Sequence, residues 1–129
     1  MREATDQELE LHALARAAAA RAYAGYSGFS VGAAVACEGA EPVLGVNVEN
    51  RSYGLTCCAE RTALFAAVTA GARRFPAIAV YADADTVVPC GACLQVMSEL
   101  APEATVIHPS GGRIVATPMS ELLPVQFQM

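Results

Sequence analysis

The first twenty-five residues carry a helical pattern of small and apolar side chains. Thr5 and Glu8 have the spacing of a capping box, in which each side chain satisfies a backbone amide of the first turn. Apolar residues then recur every three or four positions as far as Ala22. We therefore predict an N-terminal helix that begins after Thr5 and is stopped by Gly25.

Beyond this helix, short apolar segments of strand length alternate with two longer segments of helical period. The predicted strands cover residues 31–37, 43–48, 75–81, 104–107 and 113–116. The predicted helices cover residues 58–71 and 91–100, with a final helical turn over 118–123. Strands that alternate with helices are typical of an α/β protein, in which helices cover both faces of one sheet.

Length and composition agree with a single folded unit. The chain has 129 residues, of which 54% are hydrophobic and 16% charged, with a mean hydropathy of +0.36. This balance favours a well-buried core and argues against disorder. We expect residues 1–129 to form one domain, and we expect partner subunits to cover part of its apolar surface.

Charge and segment patterns exclude several function classes. The formal net charge is −5 and no run of Lys or Arg is present, so a polyanion such as DNA or RNA is disfavoured and a small neutral ligand is favoured. The alanine-rich segment 13–24 is interrupted by two arginines, which argues against a signal peptide or a membrane span. An odd number of cysteines in such a chain favours metal binding over disulfides, and we expect a cytoplasmic protein.

The candidate chemistry lies where two predicted helices begin. Cys90 and Cys93 are three residues apart at one helix start, and Cys58 lies at another, so three sulfurs can be directed at one ion. Three protein ligands leave the fourth tetrahedral position open, as in a catalytic zinc site. Glu60, two residues beyond Cys58, is placed to transfer protons there.

A structural zinc site is the alternative interpretation of the same cysteines. Such a site usually closes with a fourth Cys or His, and the candidates are Cys37, Cys57, His12 and His108. None of them has ligand spacing relative to the three cysteines. We therefore interpret both cysteines as core residues and both histidines as surface or hydrogen-bonded residues.

Six short motifs occur in a fixed order along the chain: Gly32-Ala33-Ala34, Asn47-Val48-Glu49-Asn50, Ser52-Tyr53-Gly54-Leu55-Thr56, Cys58-Ala59-Glu60-Arg61-Thr62-Ala63, Pro89-Cys90-Gly91-Ala92-Cys93 and Glu121-Leu122-Leu123-Pro124. In this order they resemble the small homotetrameric cytidine deaminases. The resemblance covers nearly the whole chain, from about residue 26 to residue 127. A lone Cys-x-x-Cys would be weak, whereas this ordered set is specific.

The resemblance implies a fold and a reaction. The fold would be a three-layer α/β/α sandwich with a five-stranded mixed sheet. Zinc would activate a water that attacks C4 of cytosine, ammonia would leave, and uridine would form. Glu60 would take the proton of the water, pass one to ring N3 and protonate the departing amine.

It also implies roles for other side chains. Asn47 and Glu49 would bind the ribose hydroxyls, Phe29 would pack on the pyrimidine, and backbone at Ala59 would help to hold the base. Arg61 would hydrogen-bond the zinc thiolates, which suits the net charge of about −1 that zinc carries with three thiolates. Without the resemblance, Asn47 and Glu49 could simply end a strand, Phe29 could be a core aromatic and Arg61 a surface residue.

The family assembly implied is a homotetramer with one zinc per subunit, in which Phe127 reaches a neighbouring site. Two positions depart from the family pattern: Leu94 stands where an arginine is usual, and Gly25 where a proline commonly precedes Tyr-Ser. Neither change touches the proposed zinc ligands.

Three function classes remain open on the sequence. The favoured one is a deaminase of free cytidine and deoxycytidine in pyrimidine salvage. The second is a deaminase of another substrate on the same scaffold, such as blasticidin S or a base within a polynucleotide. The third is a zinc-stabilised binding module without catalysis, which the presence of Glu60 disfavours.

Overall fold

A computed structural model describes all residues, 1–129. The strands are β1 (Arg2–Glu3), β2 (Val31–Cys37), β3 (Ala40–Val46), β4 (Ala77–Ala82), β5 (Thr105–Ser110) and β6 (Arg113–Pro118). The α-helices are α1 (Asp6–Ala19), α2 (Ala59–Thr69), α3 (Gly91–Leu100) and α4 (Met119–Leu122), and one 3-10 turn covers Tyr53–Leu55. None of these helices combines the length and the apolar character that crossing a membrane requires.

The strands form one mixed sheet in the order β1-β6-β5-β4-β2-β3. Only β4 and β5 run parallel, and the other neighbours are antiparallel. The expected mixed sheet is confirmed, but it has six strands rather than five. The additional strand is β1, which pairs Arg2 with Ala116 and Glu3 with Val115. Two residues are too few to show the period-two alternation by which a strand is recognised.

Helices cover both faces of the sheet, so the expected three-layer α/β/α arrangement is confirmed. On one face, Leu11 and Ala15 of α1 pack against Ala34, Ala79 and Ile107. On the other, α2 and α3 pack over the alternate strand residues Ala33, Ile78 and Val106, among others. Adjacent strand residues thus point to opposite faces and supply two separate apolar clusters, as the strand geometry requires.

The first helix is shorter than its sequence pattern indicates. The Thr5–Glu8 capping box forms, but α1 ends at Ala19 rather than continuing to Gly25. The reason is a tertiary contact: the Tyr23 N–H donates to the Asn47 carbonyl at 3.0 Å, and the Glu49 N–H donates to the Tyr23 carbonyl at 2.9 Å. This bridge uses backbone groups that a longer helix would need, so pairing overrides helical propensity.

The other predicted boundaries agree with the structure fully or to within a few residues. Helix α3 has its predicted bounds, 91–100, and α2 begins after Cys58 as expected. The second strand was predicted over 43–48 but covers Ala40–Val46, because Val48 forms isolated bridges with Tyr23 and Cys57 instead. Asn47 and Glu49 therefore lie just beyond the end of β3.

A glycine sets the distance between β3 and the helix that carries Cys58 and Glu60. A Cβ atom added to Gly45 would lie 2.4 Å from the Ala63 amide nitrogen and 2.5 Å from the Ala59 carbonyl oxygen. No side chain fits in that space, so the absence of a Cβ lets α2 rest directly on the strand. The first turn of α2, which carries the candidate catalytic residues, is thereby held at a fixed, short distance from β3.

Candidate active site

Three cysteine sulfurs meet where α2 and α3 begin. Cys58 is the N-cap residue of α2, Cys90 is the N-cap residue of α3, and Cys93 lies in the first turn of α3. The three Sγ atoms all lie within 4.8 Å of one another, and those of Cys58 and Cys90 are 3.7 Å apart. Residues separated by 32 positions in the chain are thus brought together as the sequence predicts.

The surroundings of the cluster favour a thiolate at Cys58. The first amides of a helix have no carbonyl partner within the helix, and the helix dipole is positive at that end. A hydrogen bond from the Cys93 thiol lowers the pKa of Cys58 to about 5 despite the opposing effect of burial. The same bond, together with burial, raises the pKa of Cys93 well above its usual range. A cation that displaced the remaining thiol protons would find three thiolates.

The donor set fits a catalytic rather than a structural zinc. Soft thiolate ligands suit zinc, and a fourth protein ligand does not join the three cysteines. Of the four candidates for closure, Cys37 contacts the Val35 carbonyl, and His108 contacts the Val87 carbonyl and the Thr117 hydroxyl. A zinc ion held by these three thiols would keep one ligand position for water or substrate, which the structural interpretation does not explain.

Glu60 is buried next to this cluster. It is the second residue of α2, and its exposed fraction is only 4%. Burial raises the pKa of its carboxyl group, and the nearby Cys58 thiolate adds to this effect. A carboxyl group whose pKa is raised by burial is better suited to accept and then donate a proton during one reaction cycle.

Arg61 supplies positive charge to the cluster. Its guanidinium Nη2 donates to Cys58 Sγ at 3.5 Å, and hydrogen bonds to the thiols raise the pKa of the guanidinium still further. Its Nε atom is buried without a hydrogen-bond partner. The side chain is half-buried rather than a solvent-exposed helix residue, so it is committed to the sulfurs.

Asn47 holds the loop that precedes β2. Its Oδ1 accepts from the Val31 N–H at 2.9 Å, and its Nδ2 donates to the Phe29 carbonyl at 2.8 Å. The residue is only 7% exposed. Its second amide N–H is not used by these bonds and stays free for a ligand. Asn47 therefore does more than end a strand, since it fixes Phe29 relative to the site.

Glu49 is held by the same loop. One carboxylate oxygen, Oε1, accepts the N–H groups of Tyr26 and Ser27, each at 3.0 Å, and Oε2 accepts the Ser27 hydroxyl. These bonds, led by the Ser27 hydroxyl, lower the pKa of the Glu49 carboxyl group. Glu49 is therefore ionised and oriented.

A surface cavity of about 370 Å³ adjoins this carboxylate; its lining residues are Tyr26, Ser27, Glu49, Asn50, Tyr53 and Thr56. Tyr53 and Thr56 belong to one of the sequence motifs, whereas Tyr26 and Ser27 were not predicted as site residues. Their only local signal was the Tyr-Ser pair in a glycine-flanked loop. Their contacts with Glu49 span 22 and 23 residues, which a local pattern cannot show.

The remaining predicted site residues differ in their exposure to solvent. Ala59 is fully buried at the first position of α2, next to Cys58. Phe29 is 47% exposed, so it is a surface aromatic and not a core residue of the single chain. Phe127, in the C-terminal segment, is 72% exposed.

A trio of thiols with an open ligand position, next to a buried carboxyl group and on a mixed α/β sheet, defines the class of single-zinc hydrolytic deaminases. Residues 5–109 match the family model for the cytidine and deoxycytidylate deaminase zinc-binding region. The chain belongs to this family.

Known relatives resemble this chain in both sequence and structure. A cytidine deaminase from Halalkalibacterium halodurans is 51% identical over 109 residues, which cover 82% of this chain and 83% of that protein. The crystal structure of a cytidine deaminase from Burkholderia pseudomallei aligns with a TM-score of 0.88 at 46% identity, covering 96% of this chain and 100% of that one. A blasticidin-S deaminase from Bacillus cereus is more distant, at 32% identity over 106 residues, 75% of this chain and 76% of that protein.

Proposed function

We propose that this protein deaminates cytidine and deoxycytidine hydrolytically, giving uridine and deoxyuridine with release of ammonia, as a step of pyrimidine salvage. The observation that carries the proposal is the buried Glu60 carboxyl group beside three clustered thiols that leave one ligand position open. The similarity to cytidine deaminases over most of the chain supports the substrate class.

Cys58, Cys90 and Cys93 would hold one zinc ion per chain. When bound, zinc supplies a Lewis acid that lowers the pKa of a coordinated water. Arg61 offsets part of the negative charge of the three thiolates, since its guanidinium contacts Cys58 directly. Without that offset, the surplus negative charge would oppose ionisation of the water.

Glu60 would move the protons of the reaction. It would accept a proton from the attacking water and donate it to ring N3 as C4 becomes tetrahedral. It would then accept the proton of the new C4 hydroxyl group and donate that proton to the amine, which leaves as ammonia. Its burial supports this assignment, because a raised pKa makes the carboxyl group easier to reprotonate. Water is consumed and ammonia is released, so the protein returns to its starting protonation state.

Asn47, Glu49, Phe29 and Ala59 would bind the nucleoside. The free amide N–H of Asn47 can donate to a ribose hydroxyl, and the ionised Glu49 carboxylate can accept from one. Phe29 would pack against the pyrimidine, and the backbone at Ala59, adjacent to Cys58, would contact the base. The pairing of a donor with an acceptor suits a sugar diol.

We also propose a cytoplasmic homotetramer built from one domain per chain, residues 1–129. Several large apolar side chains are exposed in the single chain, and partner subunits would cover them: Tyr53, Leu55, Phe65, Val125 and Phe127. All five cysteines are free thiols, which suits a reducing compartment.

One parallel assay tests the function. Cytidine, deoxycytidine, cytosine and blasticidin S are offered separately to the purified protein while ammonia release is followed. We expect turnover of the two nucleosides and little of the other two. Preference for blasticidin S would overturn the nucleoside assignment, and no turnover of any substrate by zinc-loaded protein would favour a binding module.

Elemental analysis tests the metal assignment independently of turnover. We expect one zinc per chain in the wild-type protein and loss of most of it in the Cys90→Ala variant. Cys37→Ala is the matched control, because this buried thiol lies outside the cluster. Full zinc retention after Cys90→Ala would overturn the ligand assignment.

A further inference from the structure

Cys90 is the most exposed of the three cysteines in the cluster. It is exposed, whereas Cys58 is half-buried and Cys93 is buried. It follows residues 83–89, which contain no helix or strand. The Leu94 N–H holds the Cys90 carbonyl at 2.8 Å on the helix side, and the segment before Cys90 holds the residue from its other side.

That segment is fastened to the β5–β6 hairpin. The Asp85 carbonyl accepts from the Gly112 N–H, and the Thr86 hydroxyl accepts from the Gly111 N–H, each at 3.0 Å. The Val87 N–H donates to the Pro109 carbonyl, also at 3.0 Å. Val87 is the last residue before Cys90 whose backbone is anchored in this way.

A buried histidine completes the anchor at Val87. His108 is only 3% exposed, and its Nδ1 lies 2.9 Å from the Val87 carbonyl oxygen and 3.2 Å from the Pro109 carbonyl oxygen. Carbonyl oxygens only accept, so Nδ1 must carry a proton. Nε2 lies 2.9 Å from the Thr117 hydroxyl, which can donate to it. Both ring nitrogens therefore have hydrogen-bond partners.

We propose that His108 is a positioning residue of the metal site, which holds Cys90 in place through the Val87 carbonyl. This inference rests on the zinc site proposed above. The buried ring links the sheet to the segment that ends at Cys90, and only Val88 and Pro89 lie between its anchor and the ligand. Residues that orient a metal ligand typically affect metal affinity by about 10–100-fold when they are changed.

Two substitutions test the hydrogen bonds of the two ring nitrogens separately. In His108→Asn, the side-chain amide can still donate near the position of Nδ1, so the bond to Val87 is kept. In His108→Gln, the longer side chain reaches toward Thr117 and leaves the Val87 carbonyl without its donor. We expect His108→Gln to release zinc to a colorimetric chelator about tenfold faster than the wild type. We expect His108→Asn to stay within about threefold.

Equal release rates for the two variants would overturn the proposal, as would a wild-type rate in His108→Gln. A measurement on the wild-type protein covers the case in which a variant does not fold. Binding linkage is reciprocal: if His108 helps to hold the metal ligand, removing zinc must disturb His108. We expect zinc removal to shift or broaden the Nδ1–H resonance of His108 in NMR spectra, while His12, on α1, serves as the internal control.

An unchanged His108 resonance on zinc removal, or a proton on Nε2 instead of Nδ1, would overturn the positioning role. Neither the zinc-release rate nor the NMR measurement requires turnover. If the wild-type protein released no ammonia from cytidine, the proposed reaction would fail, whereas the comparison of the two variants would still decide the role of His108.

Discussion

The Ser27 hydroxyl donates a hydrogen bond to the Glu49 carboxylate and accepts one from the Phe29 N–H at 2.9 Å. One small side chain thus orients the carboxylate proposed to bind ribose and the backbone of the aromatic proposed to pack on the base. The two functions are coupled by a residue that need not touch the substrate.

Ser27→Ala is therefore expected to weaken nucleoside binding. Loss of a hydrogen bond to a charged group should raise KM for cytidine by roughly tenfold, while kcat changes little because the thiol cluster is untouched. Steady-state kinetics measures both constants. Ser30→Ala, at an exposed position of the same loop, is the control. A fall in kcat without a change in KM would contradict this coupling.

Glu60→Gln should abolish most of the turnover while leaving zinc in place. Glutamine keeps the size of the side chain but cannot transfer protons, and general acid–base groups contribute about 10²–10⁴-fold to rates. Since Glu60 is proposed to serve several transfers, kcat should fall by the upper end of that range or more. Glu99→Gln on the exposed side of α3 is the matched control. Retention of most of kcat would assign the proton transfers to another group.

Arg61→Gln should reduce kcat and move the acidic limb of the pH–rate profile to higher pH. Removing the cation leaves more negative charge on the sulfurs, which makes a coordinated water harder to ionise. Hydrogen bonds to charged groups contribute about 1.5–3 kcal/mol, so we expect a loss of roughly tenfold or more. Arg74→Gln, an exposed arginine, controls for the change in net charge. An unchanged profile would show that Arg61 does not tune the site.

The quaternary proposal is tested by light scattering combined with kinetics. We expect a tetramer at assay concentration, and we expect Phe127→Ala to raise KM more than it lowers zinc content, because this exposed side chain would complete a neighbouring site. Val125→Ala is the neighbouring control. A fully active monomer would refute the assembly, whereas a tetramer with an unchanged KM in Phe127→Ala would refute only the shared pocket.

Acid stability should depend on the pair Arg2–Glu8. Hydrogen bonds from the Arg2 guanidinium to both Glu8 carboxylate oxygens, at 2.7 and 2.9 Å, lower the pKa of Glu8 from 4.5 to about 2. A lowered pKa in the folded state means that the contribution to stability is complete above pH 4.5 and is lost as the pH falls toward 2.

The measurement is the free energy of unfolding between pH 6 and pH 2 for the wild type and for Glu8→Gln. The wild type should be the more stable at pH 6, and the difference should shrink through this acid window, since protonation removes the charge that the variant lacks. Glu10→Gln, an exposed neighbour, should show no such dependence. A constant difference at all pH values would contradict the assignment to this ion pair.

Much of the fold and the reactive centre could be predicted from the sequence because their signals are local. Helix α3 has its predicted bounds since its apolar period and its start at Cys90 are contained in ten residues. Cys90 and Cys93 were predicted as a pair of ligands from their spacing at a helix start, and the resemblance to the deaminase motif added Cys58 and Glu60 to them.

Contacts between distant segments decided the rest. The bridge between Tyr23 and Val48 ends α1 early, and β1 exists only because β6 lies beside it. Ser27 meets Glu49, and His108 meets Val87, across separations of 22 and 21 residues. A hydrogen bond of this kind forms only after the chain has brought both partners together, and no periodicity in either segment records the other. The amino-acid pattern by itself therefore determined which residues are the candidates for the chemistry, and the tertiary structure decided which residues hold them in place.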